Sequence, residues 1–225
     1  MKRDPFPAHI AIIMDGNSRW ARMRGLDAIW GHRAGADRVS EIAETCGNGG
    51  ARYLSLYAFS SENWKRPENE VNSIMSLLAE FLRDRMEEIK SNNIRLLTAG
   101  RRDRFGEEIN RLLDRSIGET SVNTGLTVIL CLDYGGRREI TDAASRFRGK
   151  SAEDFSKNLY VPEASEIDLL IRTSGEERMS NFMLWQTYYS ELYFTDVLWP
   201  DFGGSELIKA VRIYNRRQRR FGERK

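Results

Sequence analysis

Cysteine is nearly absent: Cys46 and Cys131 are the only two in 225 residues, and each stands alone inside an apolar stretch. Two isolated thiols form no disulfide framework and read as packing groups in a protein of a reducing, cytoplasmic compartment. Histidine is as scarce, with only His9 and His32, which argues against a structural zinc site. No apolar run approaches the roughly 20 residues of a membrane span, and no signal-peptide pattern opens the chain. Neither charge sign is in excess. A formal net charge of +2 is too small to demand nucleic acid as a partner. No Pro/Gly/Ser-rich linker and no internal repeat divides the sequence. A single domain over 1–225 is expected, with Gly149 to Asn158 as its most flexible stretch.

Familiar ligand motifs are missing too. Gly149-Lys150-Ser151 resembles the end of a P-loop, but Ala144 stands where the first glycine belongs. Gly47-Asn48-Gly49-Gly50 lacks the last glycine of a dinucleotide fingerprint, Arg52 taking its place, and it precedes a strand rather than a helix. There is no aspartate-rich DDxxD box.

What is present is one pattern, repeated. The apolar run His9 to Met14 reads as a buried strand and ends in Asp15-Gly16-Asn17-Ser18-Arg19-Trp20. Tyr53 to Phe59 runs into Ser60-Ser61-Glu62-Asn63-Trp64-Lys65-Arg66. Ile94 to Thr98 runs into Gly100-Arg101-Arg102, Leu126 to Leu132 into Asp133-Tyr134-Gly135-Gly136-Arg137, and Asp168 to Ile171 into Arg172-Thr173-Ser174-Gly175-Glu176. A weaker strand, Leu192 to Phe194, ends at Thr195-Asp196. Helix-period segments lie between them: Val39 to Cys46, a long stripe across Pro67 to Lys90, Ile109 to Leu113, and Ile140 to Phe147. This alternation predicts an α/β fold: one domain with a central, mostly parallel six-stranded sheet flanked by helices. Polar clusters gathered at the carboxyl ends of the strands imply one shared ligand rim. On that rim Asp15 suits a hard cation and Arg19 suits phosphate oxygens.

The chain closely resembles the cis-prenyltransferases, from His9 to Gly222. The residues that carry the resemblance are Met14-Asp15-Gly16-Asn17 with Arg19-Trp20; Gly31-His32; Tyr57 to Trp64 with Arg66-Pro67; Tyr134-Gly135-Gly136-Arg137; Ile171-Arg172-Thr173; Arg178 with Ser180-Asn181-Phe182; and Glu191 to Phe194 with Trp199 to Phe202. The resemblance implies that isopentenyl diphosphate is added to an allylic diphosphate, usually farnesyl diphosphate, with Mg²⁺ as cofactor. It implies roles residue by residue. Asp15 organises the metal with Glu191 as a nearby acid, and Asn17 and Asn63 lie near the reacting centre. Gly16, Ser18, Arg19, Trp20, Arg24 and His32 surround the allylic diphosphate. Arg172, Arg178 and Ser180 hold isopentenyl diphosphate. Ser60, Ser61, Glu62, Trp64 and Arg66 belong to a loop that closes over substrate. Leu56, Ala58, Ile74 and Leu78 wall a channel for the growing product, and the small Ala58 leaves room for a long tail.

The basic stretch Arg212 to Lys225 reads as a solvated helix face or as a tail drawn to an anionic membrane surface. Without interleaved aromatics it does not read as a nucleic-acid site. Its Arg220-Phe221-Gly222 matches the family's terminal motif, which implies a homodimer whose tail reaches the neighbouring site. The sequence departs from the family at Ala28, which replaces a common diphosphate-binding arginine. It departs again at Ser18 and Ser174 in place of glycines, at Asp133 in place of asparagine, and in a short segment 141–166. Two other readings stay open: a same-fold enzyme with a shorter or irregular branched product, and a non-catalytic partner subunit.

Overall fold

The computed structural model describes residues 5–164 and 166–219. Six strands form one all-parallel sheet: β1 (His9–Ile13), β2 (Tyr53–Ser60), β3 (Arg95–Ala99), β4 (Thr127–Tyr134), β5 (Leu169–Arg172) and β6 (Glu191–Phe194). Their order is β3-β4-β2-β1-β5-β6. The chain therefore builds outward from β1 in one direction first and returns to its other side only with β5. The crevice beside β1 at the carboxyl ends is a topological switch point, where ligands bind in open sheets of this kind.

Burial on both faces explains why β1, β4 and β5 read as continuous apolar runs. Ile10 and Ile12 enter one core, under α2 (Ala28–Gly49), α3 (Glu68–Asp84), α5 (Glu107–Thr120) and α8 (Gly204–Arg216). Ala11 and Ile13 enter the other, which includes Tyr134, Val161, Phe182 and Met183. The short α1 (Asn17–Arg22) follows β1 directly, and a 3₁₀ turn, Ser61–Lys65, follows β2. The predicted stripe over Pro67 to Lys90 is two helices, since the backbone breaks at Arg85 before α4 (Met86–Ser91). After α6 (Gly136–Arg146), the stretch 149–158 holds a one-turn α7 (Ala152–Ser156), capped by the Ser151 hydroxyl accepting from the Asp154 N–H at 3.1 Å. Residues 212–216 are not a free tail: they complete α8, whose Leu207, Ala210 and Val211 are fully buried.

Candidate active site

Two glycines let the first polar loop fold back on the sheet. Gly16 has φ +107°, and a Cβ there would stand 2.9 Å from Leu198 Cδ2 and 3.1 Å from Ser174 Cβ. A Cβ on Gly31 would meet the Asn17 carbonyl oxygen at 2.0 Å. Glycine at 31 thus allows α2 to press against the start of α1 and fixes where Asn17 and His32 face each other.

Asp15 is held from β5. Its N–H donates to Thr173 Oγ1 at 2.9 Å, and that hydroxyl donates to the Asp15 carbonyl at 2.7 Å. Its carboxylate accepts from Arg172 Nη2 at 2.8 Å. The Arg172 side chain is only 5% exposed, and its Nη1 donates to Ser180 Oγ at 2.6 Å and to the Arg178 carbonyl at 2.5 Å. Arg19 donates to the Ser174 carbonyl at 2.8 Å and pairs with Glu176 at 3.5 Å. Glu176 also pairs with Arg178, so one carboxylate joins the arginines assigned to two different substrates.

The opposite wall comes from β2 and α3. The Ser60 N–H donates to Asn63 Oδ1 at 2.9 Å, which shapes the 3₁₀ turn. Arg66 pairs with Glu70 at 2.9 Å, and His32 Nε2 lies 3.5 Å from the same carboxylate. Burial, and then the charge of Arg66, push the His32 imidazole below its ordinary pKa, against the pull of Glu70.

Between these walls lies a polar cleft of about 330 Å³, lined by Asp15 through Arg19, Arg22, His32, Asn63 and Arg66. Met14, Asn17, His32, Ala58 and Ile74 also line an adjoining apolar cavity of about 110 Å³. That cavity is walled further by Leu56, Leu78 and Phe81, so all four expected channel residues face it.

Other expected residues lie elsewhere. Glu191 begins β6, and Leu169 and Arg172 pair with Glu191 and Phe194 respectively. In a parallel sheet this puts Glu191 at the amino edge, about 10 Å of strand away from the rim, where it pairs with Arg217 at 2.9 Å. It does not join Asp15 in a metal site within one chain. Trp20 Nε1 donates to Asp201 Oδ1 at 2.7 Å, and Arg24 stacks over the Trp20 ring and pairs with Asp201 at 3.4 Å. Neither lines the cleft, whereas Arg22 does. Trp64 packs inward between Phe59 and Phe105 rather than toward the cleft. Ser61 and Glu62 tie the turn to the 180 loop, where Glu62 accepts from Asn181 Nδ2 at 3.0 Å. Ala28 begins α2 outside the cleft lining, and Ser18 sits in α1 without a positive φ. Ser174 does adopt one, at +80°. Arg220-Phe221-Gly222 lies outside the described residues.

Thr173, Glu176 and Tyr57 had no role assigned from sequence. Thr173 and Glu176 sit within motifs already singled out, but their contacts cross from β5 to β1. The Tyr57 hydroxyl reaches the Tyr134 and Ser180 carbonyls at 3.3 and 3.4 Å. Its position in the strand alone gives no sign of that.

Known proteins match this arrangement along nearly the whole chain. Residues 13–222 fit the prenyltransferase family model described as "Putative undecaprenyl diphosphate synthase". The isoprenyl transferase of Clostridium perfringens is 45% identical over 97% of this chain and 91% of its own. That of Fusobacterium nucleatum is 46% identical over 96% of each. Lavandulyl diphosphate synthase from Lavandula x intermedia, crystallised with dimethylallyl diphosphate, superposes with a TM-score of 0.92 at 34% identity, covering 97% of this chain and 99% of that one. A probable undecaprenyl diphosphate synthase from Campylobacter jejuni gives 0.84 at 32% identity, covering 96% and 99%. With the parallel sheet, the Asp15–Arg172 rim and the matched length all in agreement, the chain belongs to the undecaprenyl diphosphate synthase family and is a prenyltransferase of the cis type.

Proposed function

We propose that this enzyme adds isopentenyl diphosphate repeatedly to an allylic diphosphate, with farnesyl diphosphate as starter, and releases a long-chain cis-polyprenyl diphosphate. The observation that carries this reading is the continuity of the polar cleft with the apolar cavity through Met14, Asn17, His32, Ala58 and Ile74. A diphosphate in the first places its hydrocarbon tail in the second.

The residues divide the work. Arg19, Arg22, Arg66 and His32 face the departing allylic diphosphate, whose charge grows as its C–O bond breaks. Arg172 and Arg178, with Ser180, hold the second diphosphate beside it. Asn17 offers its amide at the junction of cleft and channel, and Asn63 offers one from the cleft wall. Asp15 fits a Mg²⁺ role on donor chemistry. It is a hard carboxylate, 34% exposed at the cleft, and no group of three or more ligating side chains surrounds it among the described residues. This matches a cation carried mainly by substrate phosphates and anchored through one carboxylate. Mg²⁺ there would neutralise the leaving diphosphate. The reading includes a homodimer. β6 is an edge strand, Tyr188 and Tyr189 beside it are 60% and 51% exposed, and the tail motif would complete the neighbour's site.

Purified protein with Mg²⁺, farnesyl diphosphate and labelled isopentenyl diphosphate should give a ladder of long products. Ala58→Leu should shorten that ladder while the first condensation persists. A second reading, an irregular branched product from two allylic diphosphates, is favoured by the likeness to a lavandulyl diphosphate synthase crystallised with dimethylallyl diphosphate. Product from dimethylallyl diphosphate alone, with no ladder from the other pair, would establish it instead.

A further inference from the structure

Asp133, Arg104 and Trp64 form a cluster that the cleft chemistry leaves unused. Asp133 sits near the end of β4 with a left-handed φ of +43°, and its side chain has no exposed surface. The buried Trp64 indole Nε1 and both Asp133 carboxylate oxygens complete no hydrogen bond of standard geometry. Arg104 approaches both, with Nη1 3.7 Å from Asp133 Oδ1 and its guanidinium 5.4 Å over the Trp64 ring. Burial pushes the Asp133 carboxyl above its ordinary pKa. The Trp64 N–H, Arg104 and Arg138 oppose that rise, and Asp103 adds to it. An open donor beside a buried carboxylate is costly and calls for a reason.

The reason lies in what Trp64 carries. Its ring is wedged 5.0 Å from Phe59 and 5.8 Å from Phe105. The loop bearing Arg104 and Phe105 is braced by Asn110, whose amide donates to the Arg102 and Phe105 carbonyls at 3.2 and 3.1 Å. Trp64 belongs to the 3₁₀ turn that presents Asn63, with Arg66 just beyond, and both line the polar cleft. A shift of the indole therefore moves two cleft residues.

We propose that Asp133 is a positioning residue: with Arg104 it orients the Trp64 indole and so sets where Asn63 and Arg66 stand in the cleft. The proposal rests on reading the cleft as the allylic diphosphate site. Asp133→Ala and Trp64→Phe, made in the full chain, should each raise the allylic KM about tenfold, as coupled neighbours do. The double variant should be no worse than the worse single, and melting should stay cooperative. Asp133→Asn keeps an acceptor oxygen for the indole and should return KM to within about twofold of the unaltered enzyme. If Asp133→Ala does not fold, Asp133→Leu fills the space without an acceptor and carries the same expectation. Arg66→Ala is the reference. If it raises KM while the folded Asp133 variants do not, or if the two single effects multiply in the double, the positioning role is wrong. If Arg66→Ala itself leaves KM unchanged, the cleft assignment fails instead.

Discussion

The two walls of the cleft are built differently. The β1/β5 wall is locked by short bonds between buried groups: Thr173 grips the Asp15 backbone from both sides, and Arg172 spends its donors on Asp15, Ser180 and the Arg178 carbonyl. The β2/α3 wall has a shaped turn, but its arginine rests on a half-exposed ion pair, Arg66 with Glu70. One wall is preorganised around a fixed charge pattern, where electrostatic stabilisation needs no rearrangement at the moment of reaction. The other can exchange Glu70 for a phosphate at little cost, because exposed pairs contribute only about 0–1 kcal/mol.

The sharpest way to break this contrast is Asp15→Asn, which keeps an acceptor for Arg172 but removes the charge. kcat should fall about 10²–10³-fold, as for loss of one preorganised transition-state contact, and the melting temperature should fall as well, because the nearly buried Arg172 loses its counter-ion. Near-normal turnover would mean that the locked wall does not serve the reaction.

Next in size is a matched pair. Arg172→Ala removes a nearly buried guanidinium and leaves its Asp15, Ser180 and Arg178 partners without it, so it should cost about 1–3 kcal/mol of stability as well as isopentenyl diphosphate binding. Arg66→Ala should cost under about 1 kcal/mol of stability yet weaken allylic binding. Equal stability losses in denaturant titrations would erase the distinction between the walls.

A smaller effect follows from His32. Its pKa lies below 6.5 because burial and Arg66 disfavour the charged ring. Above that pH it is neutral folded or unfolded. As pH falls below it, the unfolded chain takes the proton first, so folding stability drops across that window until the folded pKa is passed. His32→Asn should flatten this part of the acid profile. An unchanged slope just below pH 6.5 would show that other groups set it.

The smallest expected change sharpens the locked wall. Ser174 holds φ +80° and a buried hydroxyl without a hydrogen bond. Ser174→Gly should therefore raise stability by about 0.5–1 kcal/mol, net of glycine's extra freedom in the unfolded chain. A lower melting temperature would show that the hydroxyl is satisfied in solution.

Much of this was legible in the sequence because buried parallel strands are unbroken apolar runs, and β1, β4 and β5 stand out as such. Asp15, Arg19, Asn63 and Arg172 follow from strand ends alone. Glu191 did not, because an acid at the start of a strand lies at the opposite edge from the rim, whatever motif it sits in. Trp64 looks like a ligand contact among polar neighbours, and only tertiary packing turns it inward. The break at Arg85 carries no proline or glycine to announce it. In α8 the spacing of Leu207, Ala210 and Val211 was overshadowed by the basic residues around it.

The strand order has a consequence for how the molecule comes to be active. β1 is made first but sits between β2 and β5, and its second neighbour is synthesised more than 150 residues later, as the 157-residue separation of Asp15 and Arg172 records. Pairings this distant in sequence are slow to form, because a long loop must close before any contact rewards it. Until β5 arrives, one edge of the central strand is open to other chains, and Asp15 has neither its clamp nor its counter-ion. The polar rim is thus completed by the same step that covers the second edge of β1.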